Sequence, residues 1–186
     1  GDWARGIALL ERGLASLDLD GPDLDGPICY ELYYHLAIGQ CHQGDNEAAA
    51  LSYQMALAVD IPEILKLGAY NNLASLLQDE GLLALAGELY EQAIALDPSF
   101  ATAHYNLGKL KRQQGDLAGA IAAYKTALKF SPDKPEIHQN LGVALLKAGA
   151  IAASQVAFAQ ALELYEAQGS AQAQLLRRQL SDLHLL

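Results

Sequence analysis

The chain is poor in the residues that build strands, disulfides and membrane anchors. Its 186 residues include three Phe, one Trp, one Met and two Cys, and the large excess of Ala and Leu tilts the composition towards helix. Two cysteines cannot make a disulfide framework; they favour a reducing, cytoplasmic setting or are simply buried small hydrophobes. Cations are scarce as well. Twelve Lys and Arg stand against 22 Asp and Glu, a net charge of −10, which repels a phosphate backbone and argues against nucleic acid as the main partner. Long apolar runs are missing. The longest stretch without charge, 148–162, has fifteen residues, short of the roughly 20 a spanning helix needs. Arg5, Glu11 and Arg12 interrupt the only early apolar run, so neither signal peptide nor membrane anchor is expected. What is present is an apolar fraction of 52%, ample for the core of one or two domains.

That apolar content is periodic. Gly81, Gly115 and Gly149 are spaced by 34 residues, and such a period outranks any local reading. With repeats opening at Leu67, Ala101 and Pro135, Leu73-Ala74 recurs as Leu107-Gly108 and Leu141-Gly142, and Tyr90 recurs as Tyr124 and Phe158. An earlier copy opens at Tyr30, with Leu36-Ala37, Gly44, Ala49 and Tyr53, and it precedes the next by 37 residues, three more than the period. The expected divisions are 1–29 (a partial copy and an acidic loop), 30–66, 67–100, 101–134, 135–168, and 169–186 as a capping helix or another first helix.

Each copy reads as two helices divided by glycine, which takes the left-handed conformation that ends a helix. Asp45 and Asp116 follow that glycine as expected N-caps, whereas Leu82 and Ala150 cannot serve. Pro98 and Pro132 close their copies. Pro62 is expected at a first helical position, lengthening the next helix by nearly a turn and absorbing the extra residues. Small residues at position eight (Ala37, Ala74, Gly108, Gly142) and position twenty (Ala49, Ala86, Ala120, Ser154) let the helices of a copy approach closely. Tyr53, Tyr90, Tyr124 and Phe158 then fill the gap to the following copy. No copy is expected to be stable alone, because stacking supplies the core.

These residues closely resemble the tetratricopeptide-repeat family, whose motif is W-x2-L-G-x2-Y, then A-x3-F, then P, over 34 residues. The best copy, ATAHYNLGKLKRQQGDLAGAIAAYKTALKFSP, departs where His104 takes the Trp place and Lys111 the first Tyr place. Four copies cover 30–168, and GIALLERGLASLDLD resembles the second helix of a fifth. The resemblance implies an all-α fold, a right-handed superhelix of helix-turn-helix repeats whose first helices line a concave groove, and a protein-protein interaction role. The opening glycine and the apolar ending suggest a piece of a longer polypeptide.

In that geometry position six places Asn72, Asn106 and Asn140 along the groove, with His35 in the first copy. Carboxamides can pair with an extended peptide's backbone whatever its side chains; the alternative is that they only bond neighbouring helices or water. Helices 8 to 10 Å apart and a chain advancing about 3.3 to 3.6 Å per residue give roughly three peptide residues per repeat. Position five holds Tyr34, Asn71, Tyr105 and Gln139, which either contact the peptide or follow family consensus. Residues 1–100 carry 16 acidic and 3 basic side chains, whereas 101–186 carry 6 and 9. Lys109, Arg112, Lys147 and Arg177 fall at groove positions of the later copies, Glu31 and Asp79 at those of the earlier ones. A partner segment with acidic residues is expected to meet the later copies. The cationic clamp by which relatives hold chaperone tails is not matched, because Tyr34, Ile38, Thr102 and Asn106 occupy its places.

Chemistry is sparse. His35, Cys41 and His42 share a helix but lack a fourth ligand at metal-site spacing, and no nucleophile elbow, phosphate loop or dinucleotide fingerprint occurs. The acidic DLDGPDLDGP at 18–27 does not follow the twelve-residue calcium pattern. The chain is read as non-enzymatic, without cofactor or metal, binding a protein or peptide. Two alternatives remain: a substrate-recruiting region of a larger glycosyltransferase or methyltransferase, and a solenoid that stacks head to tail.

Overall fold

Helix ends fall where glycine permits them. The computed structural model describes residues 3–17, 26–183 and 185, so most of the acidic loop at 18–27 lies outside the described residues. Among those described, ten α-helices and one 3₁₀ turn form and no strand does. The all-α expectation therefore holds. The chain divides into two compact units, Gly1–Asp97 and Pro98–Leu186. The first contains α1 (Trp3–Ala15), α2 (Gly26–Gln43), α3 (Asn46–Ala58), the 3₁₀ turn Glu63–Lys66, α4 (Leu67–Asp79) and α5 (Leu83–Leu96). The second contains α6 (Ala101–Gln113), α7 (Leu117–Phe130), α8 (Pro135–Lys147), α9 (Ile151–Ala167) and α10 (Gln172–Asp182).

Consecutive helices pack as hairpins, α2 with α3, α4 with α5, α6 with α7 and α8 with α9. Gly115 shows how each hairpin turns. Its φ of 84° is the left-handed region that costs glycine nothing, and the turn closes with Gly115 N donating to Arg112 O and Asp116 N to Lys111 O. Gly44, Gly81 and Gly149 do the same, and Gly169 ends α9 in the same way, a turn the 34-residue period does not announce. The expected caps form: Asp45 Oδ1 accepts from Ala48 N at 3.1 Å, and Asp116 Oδ1 from Gly119 N at 2.8 Å. Leu82 and Ala150 cap nothing with their side chains.

Two expectations need correcting. Pro62 does not open an α-helix; it precedes the 3₁₀ turn, and α4 begins at Leu67. The cause is Lys66. Its side chain is buried, at 4% exposure, and Nζ donates to Leu57 O at 2.9 Å, near the C-terminal end of α3, and to Glu63 Oε1 at 2.7 Å. This attachment winds the three extra residues into a tight turn against the previous hairpin. The second correction concerns position eight. Gly108 does not face bare backbone, for a Cβ there would lie 2.6 Å from Tyr124 Cε1, and one on Gly142 would lie 2.7 Å from Phe158 Cδ1. The rings therefore fill the small-residue gap of their own hairpin while also reaching the next first helix: Tyr124 packs with Ile137 and Leu141, and Phe158 with Leu176 and Leu180.

His104 and His138 are rim residues. Their Nε2 atoms lie 3.0 and 2.8 Å from the carbonyls of Pro98 and Pro132. A carbonyl only accepts, so Nε2 carries the proton in both rings, and each imidazole ties its helix to the preceding loop. Trp3 stacks on His42 with centroids 4.1 Å apart, holding α1 to α2.

Candidate interaction surface

The first helices of successive hairpins lie side by side within each unit, and position five of one meets position six of the next. In the first unit Asn72 Nδ2 donates to the Tyr34 hydroxyl at 3.2 Å. In the second, Asn140 Nδ2 donates to the Tyr105 hydroxyl at 3.1 Å and to Glu136 O at 2.9 Å. The same bond thus recurs. Both asparagines are half-buried, and their amide protons bond the neighbouring helix, the use that had been the alternative to ligand contact.

The remaining expected residues differ in exposure. Asn106 is buried, at 9%. Asn71 is buried too, at 7%, and donates to Asn72 Oδ1 at 3.2 Å. Tyr34 stacks on Tyr30 at 5.6 Å. Tyr105 lies 5.9 Å from the Tyr124 ring and has the Lys109 ammonium 5.8 Å above its own ring, a cation–π contact. Burial pushes the Tyr105 phenol up to about 12, helped by the Tyr124 and Glu136 charges and opposed by Arg112. Arg112 is partly exposed, and Lys147 is exposed at the end of α8. Among the other candidates, Arg177 pairs with Glu166, Glu31 pairs with His35 at 3.1 Å, and Gln139 Oε1 accepts from Tyr165 at 3.0 Å.

These rows border concavities. In the first unit a cavity of about 320 Å³ is lined by Cys41, Asn46, Tyr53, Asn72, Ser75, Leu76 and Asp79. Burial raises the Cys41 thiol above its usual range. In the second unit Thr102, Tyr105, Lys134, Glu136 and Ile137 enclose about 220 Å³ between α6 and α8. A larger, more apolar cavity of about 460 Å³ lies among α8, α9 and α10, with Val143, Leu146, Phe158 and Leu176 in its wall. No three His, Cys, Asp or Glu side chains gather for a metal among the described residues, and no helix there is long and apolar enough to cross a membrane.

Sequence reasoning missed one pairing that recurs through the chain. Position twelve meets the ring at position twenty-four of its own hairpin: Cys41 with Tyr53, Gln78 with Tyr90, Arg112 with Tyr124 and Leu146 with Phe158. The signal was available in the sequence, since polar partners accompany tyrosine and leucine accompanies the one phenylalanine.

Comparison with known proteins places these features in a family. A family model for the TPR repeat matches residues 76–111 and 108–149. A TPR repeat-containing protein of Synechococcus elongatus is 48% identical over 69 residues, which are 37% of this chain and 17% of that relative. The matched segment is thus less than a fifth of the relative's length. Among solved structures, a crystal structure of MamA superposes with a TM-score of 0.76 at 24% identity, covering 91% of this chain and 92% of that one. MamA from Desulfovibrio magneticus RS-1 gives 0.68 at 22%, covering 91% and 99%. The C-terminal part of a TPR repeat-containing protein from Cytophaga hutchinsonii gives 0.72 at 16%, covering 88% and 60%. At these identities the structures speak to the fold.

Proposed function

Because the chain belongs to the tetratricopeptide-repeat family, whose fold supports protein-protein interaction and scaffolding, we propose that it holds an extended segment of a partner protein along its first helices. The role is binding, not catalysis. The observation that carries this reading is the Asn140 carboxamide between α6 and α8. Its amide protons are taken by Tyr105 and Glu136, while Oδ1 receives no hydrogen bond from the described residues. Internal bonds therefore hold the group in place and leave its acceptor for a peptide N–H. Asn106 would act at the corresponding place; Asn72, whose Oδ1 already accepts from Asn71, would offer its second lone pair, and Tyr34, Asn71 and Tyr105 would flank the strand.

Charge favours an acidic partner for the second unit. Lys109 and Arg112 lie on α6 and Lys147 ends α8, within a stretch carrying nine basic and six acidic residues. Binding there weakens as salt rises through the range where the Debye length falls to about 8 Å and below.

The test is selection from a random peptide library by the intact chain and by a variant with Asn72, Asn106 and Asn140 all changed to Ala. That variant also loses bonds to Tyr34 and Tyr105, so the paired control is Tyr34→Phe with Tyr105→Phe, which breaks those bonds and keeps the amides. The triple variant is expected to lose the selected peptides at unchanged helicity, while the control retains them. Equal retention by the triple variant would sink the amide reading.

A further inference from the structure

In the first unit, the cavity of about 320 Å³ beside α4 opens to solvent at Asp79, which is exposed. Asn72, Ser75 and Asp79 in its lining share one face of α4, at spacings of three and four residues. The protons around them are already placed. Asn72 Nδ2 donates to two phenols, Tyr34 at 3.2 Å and Tyr53. The Tyr53 proton goes to the Cys41 sulfur. Ser75 bonds the Tyr90 hydroxyl, whose own proton goes to Gln78 Oε1 at 3.2 Å, so Ser75 is the donor there. Asn46 Nδ2 donates to Glu80 Oε1 at 2.7 Å. What the lining still offers is lone pairs, on the Asp79 carboxylate, the Ser75 hydroxyl and Asn72 Oδ1. A ligand that matches such a lining brings donors and no acceptors.

Charge points the same way. Residues 1–97 hold 16 acidic and three basic side chains. Of those three, Arg12 Nε donates to Ala8 O, Lys66 is buried against Leu57 O and Glu63, and Arg5 does not line the cavity. No ion pair among the described residues includes Asp79. Nor does Asp79 serve its own helix. It is the last residue of α4, where the partial negative charge of the helix end disfavours a carboxylate. Glu80, held by Asn46, adds a second negative charge at the cavity's edge.

We propose that this cavity receives the side chain of an arginine in the bound segment, with Asp79 and Ser75 accepting from its guanidinium. The site rests on the reading of the groove given above, and specifies one residue class within it. Asn72 Oδ1 holds the segment's backbone, and Asp79, two turns further along α4, is reached only by a long side chain. The Asp79 carboxylate takes the bidentate pair of N–H groups. Ser75 stands one turn away, so a planar fork of five donors serves both acceptors, whereas an ammonium concentrates its charge at one.

Asp79→Asn is the test variant, since it keeps the size and removes the charge. Its thermal midpoint should hold or rise, because the helix end is relieved; a fall would make Asp79 a structural residue and overturn the site. The first measurement follows the amide resonances of Asn72, Ser75 and Asp79 during titration with N-acetylarginine N-methylamide and with its lysine and citrulline counterparts. A saturable shift is expected with the arginine compound, weaker with lysine, absent with neutral citrulline, and lost in Asp79→Asn. No shift, an equal shift with lysine or citrulline, or shifts as large at Glu88 and Glu91 on α5 overturn the assignment.

The second measurement uses library-selected peptides, in which arginine should be enriched. Asp79→Asn in the chain and arginine to citrulline in the peptide should each lose about tenfold or more in affinity, and both together no more than either alone. If the selected peptides lack arginine, or bind Asp79→Asn as tightly as the intact chain, the arginine site is wrong and the groove reading stands. If the arginine compound shifts these residues in a chain that selects no peptide, the site stands and the groove reading fails.

Discussion

Gly108 and Gly142 leave no room for a side chain because a ring already fills the space. A methyl at Gly108 would meet three atoms of the Tyr124 ring within 3.1 Å, and that ring is fully enclosed. The α2–α3 and α4–α5 hairpins carry Ala37 and Ala74 at this place, so the methyl can be housed only if the paired helices separate. Gly108→Ala is therefore expected to destabilise the protein by about 1–3 kcal/mol through overpacking, less whatever the better helix former returns, up to about 1 kcal/mol. Urea unfolding measures it; an unchanged midpoint would mean that the hairpin spreads freely. The small residue at position eight was legible in the sequence, but the ring as its neighbour was not. A glycine shows that space is wanted without showing what takes it.

Helix boundaries were the most legible feature, because glycine, aspartate and proline act through the local backbone. The same locality explains the unequal helix starts. Ala150 sits at the N-cap of α9 with φ −85° and ψ 63°, close to the −76° and 78° of Asp116 at the start of α7, yet has no side-chain oxygen to accept from Ala153 N as Asp116 accepts from Gly119 N. Ala150→Asp is expected to add about 1 kcal/mol, and Asp116→Ala to remove 0.5–2 kcal/mol by the general range for such caps, roughly. Thermal unfolding of the two variants should move in opposite directions; a loss with Ala150→Asp would refute the capping account. The 3₁₀ turn was not legible. Its cause, Lys66 reaching the Leu57 carbonyl nine residues back, depends on how α3 and α4 are packed, and a proline-based rule for the local chain cannot see it.

At the scale of the whole molecule the tyrosines carry both the core and a pH limit. Burial is the first cause raising the phenols of Tyr30, Tyr53, Tyr70, Tyr90, Tyr105, Tyr124 and Tyr165 above their usual 10, with Tyr30, Tyr90 and Tyr105 pushed up to about 12. For an acid whose folded pKa is raised, the folded state favours the neutral form. Stability from this source is complete below pH 10 and is lost as pH rises from 10 through 12, where the unfolded chain ionises first. Phenolate absorbance and helicity should accordingly change together in that window. Phenolate appearing near pH 10 with the helices intact would contradict the burial assigned to these rings.

The repeat, its four glycine turns and the all-helical class could be read from a 34-residue period. The surface could be read only in outline. Positions five and six were identified as a row, but the bonds from Asn72 to Tyr34 and from Asn140 to Tyr105 join residues 38 and 35 apart and depend on side-chain reach across two helices. The pairing of position twelve with the ring at position twenty-four escaped for a different reason, since no single copy reveals the rule.

The central claim is that a partner strand lies on the first helices, and the most direct measurement locates a library-selected peptide on the chain by backbone amide shifts. The account predicts shifts concentrated on α6 and α8 around Tyr105, Lys109, Arg112 and Asn140, weakening with salt. Shifts concentrated on the second helices, α7 and α9, with the first helices silent, would contradict it.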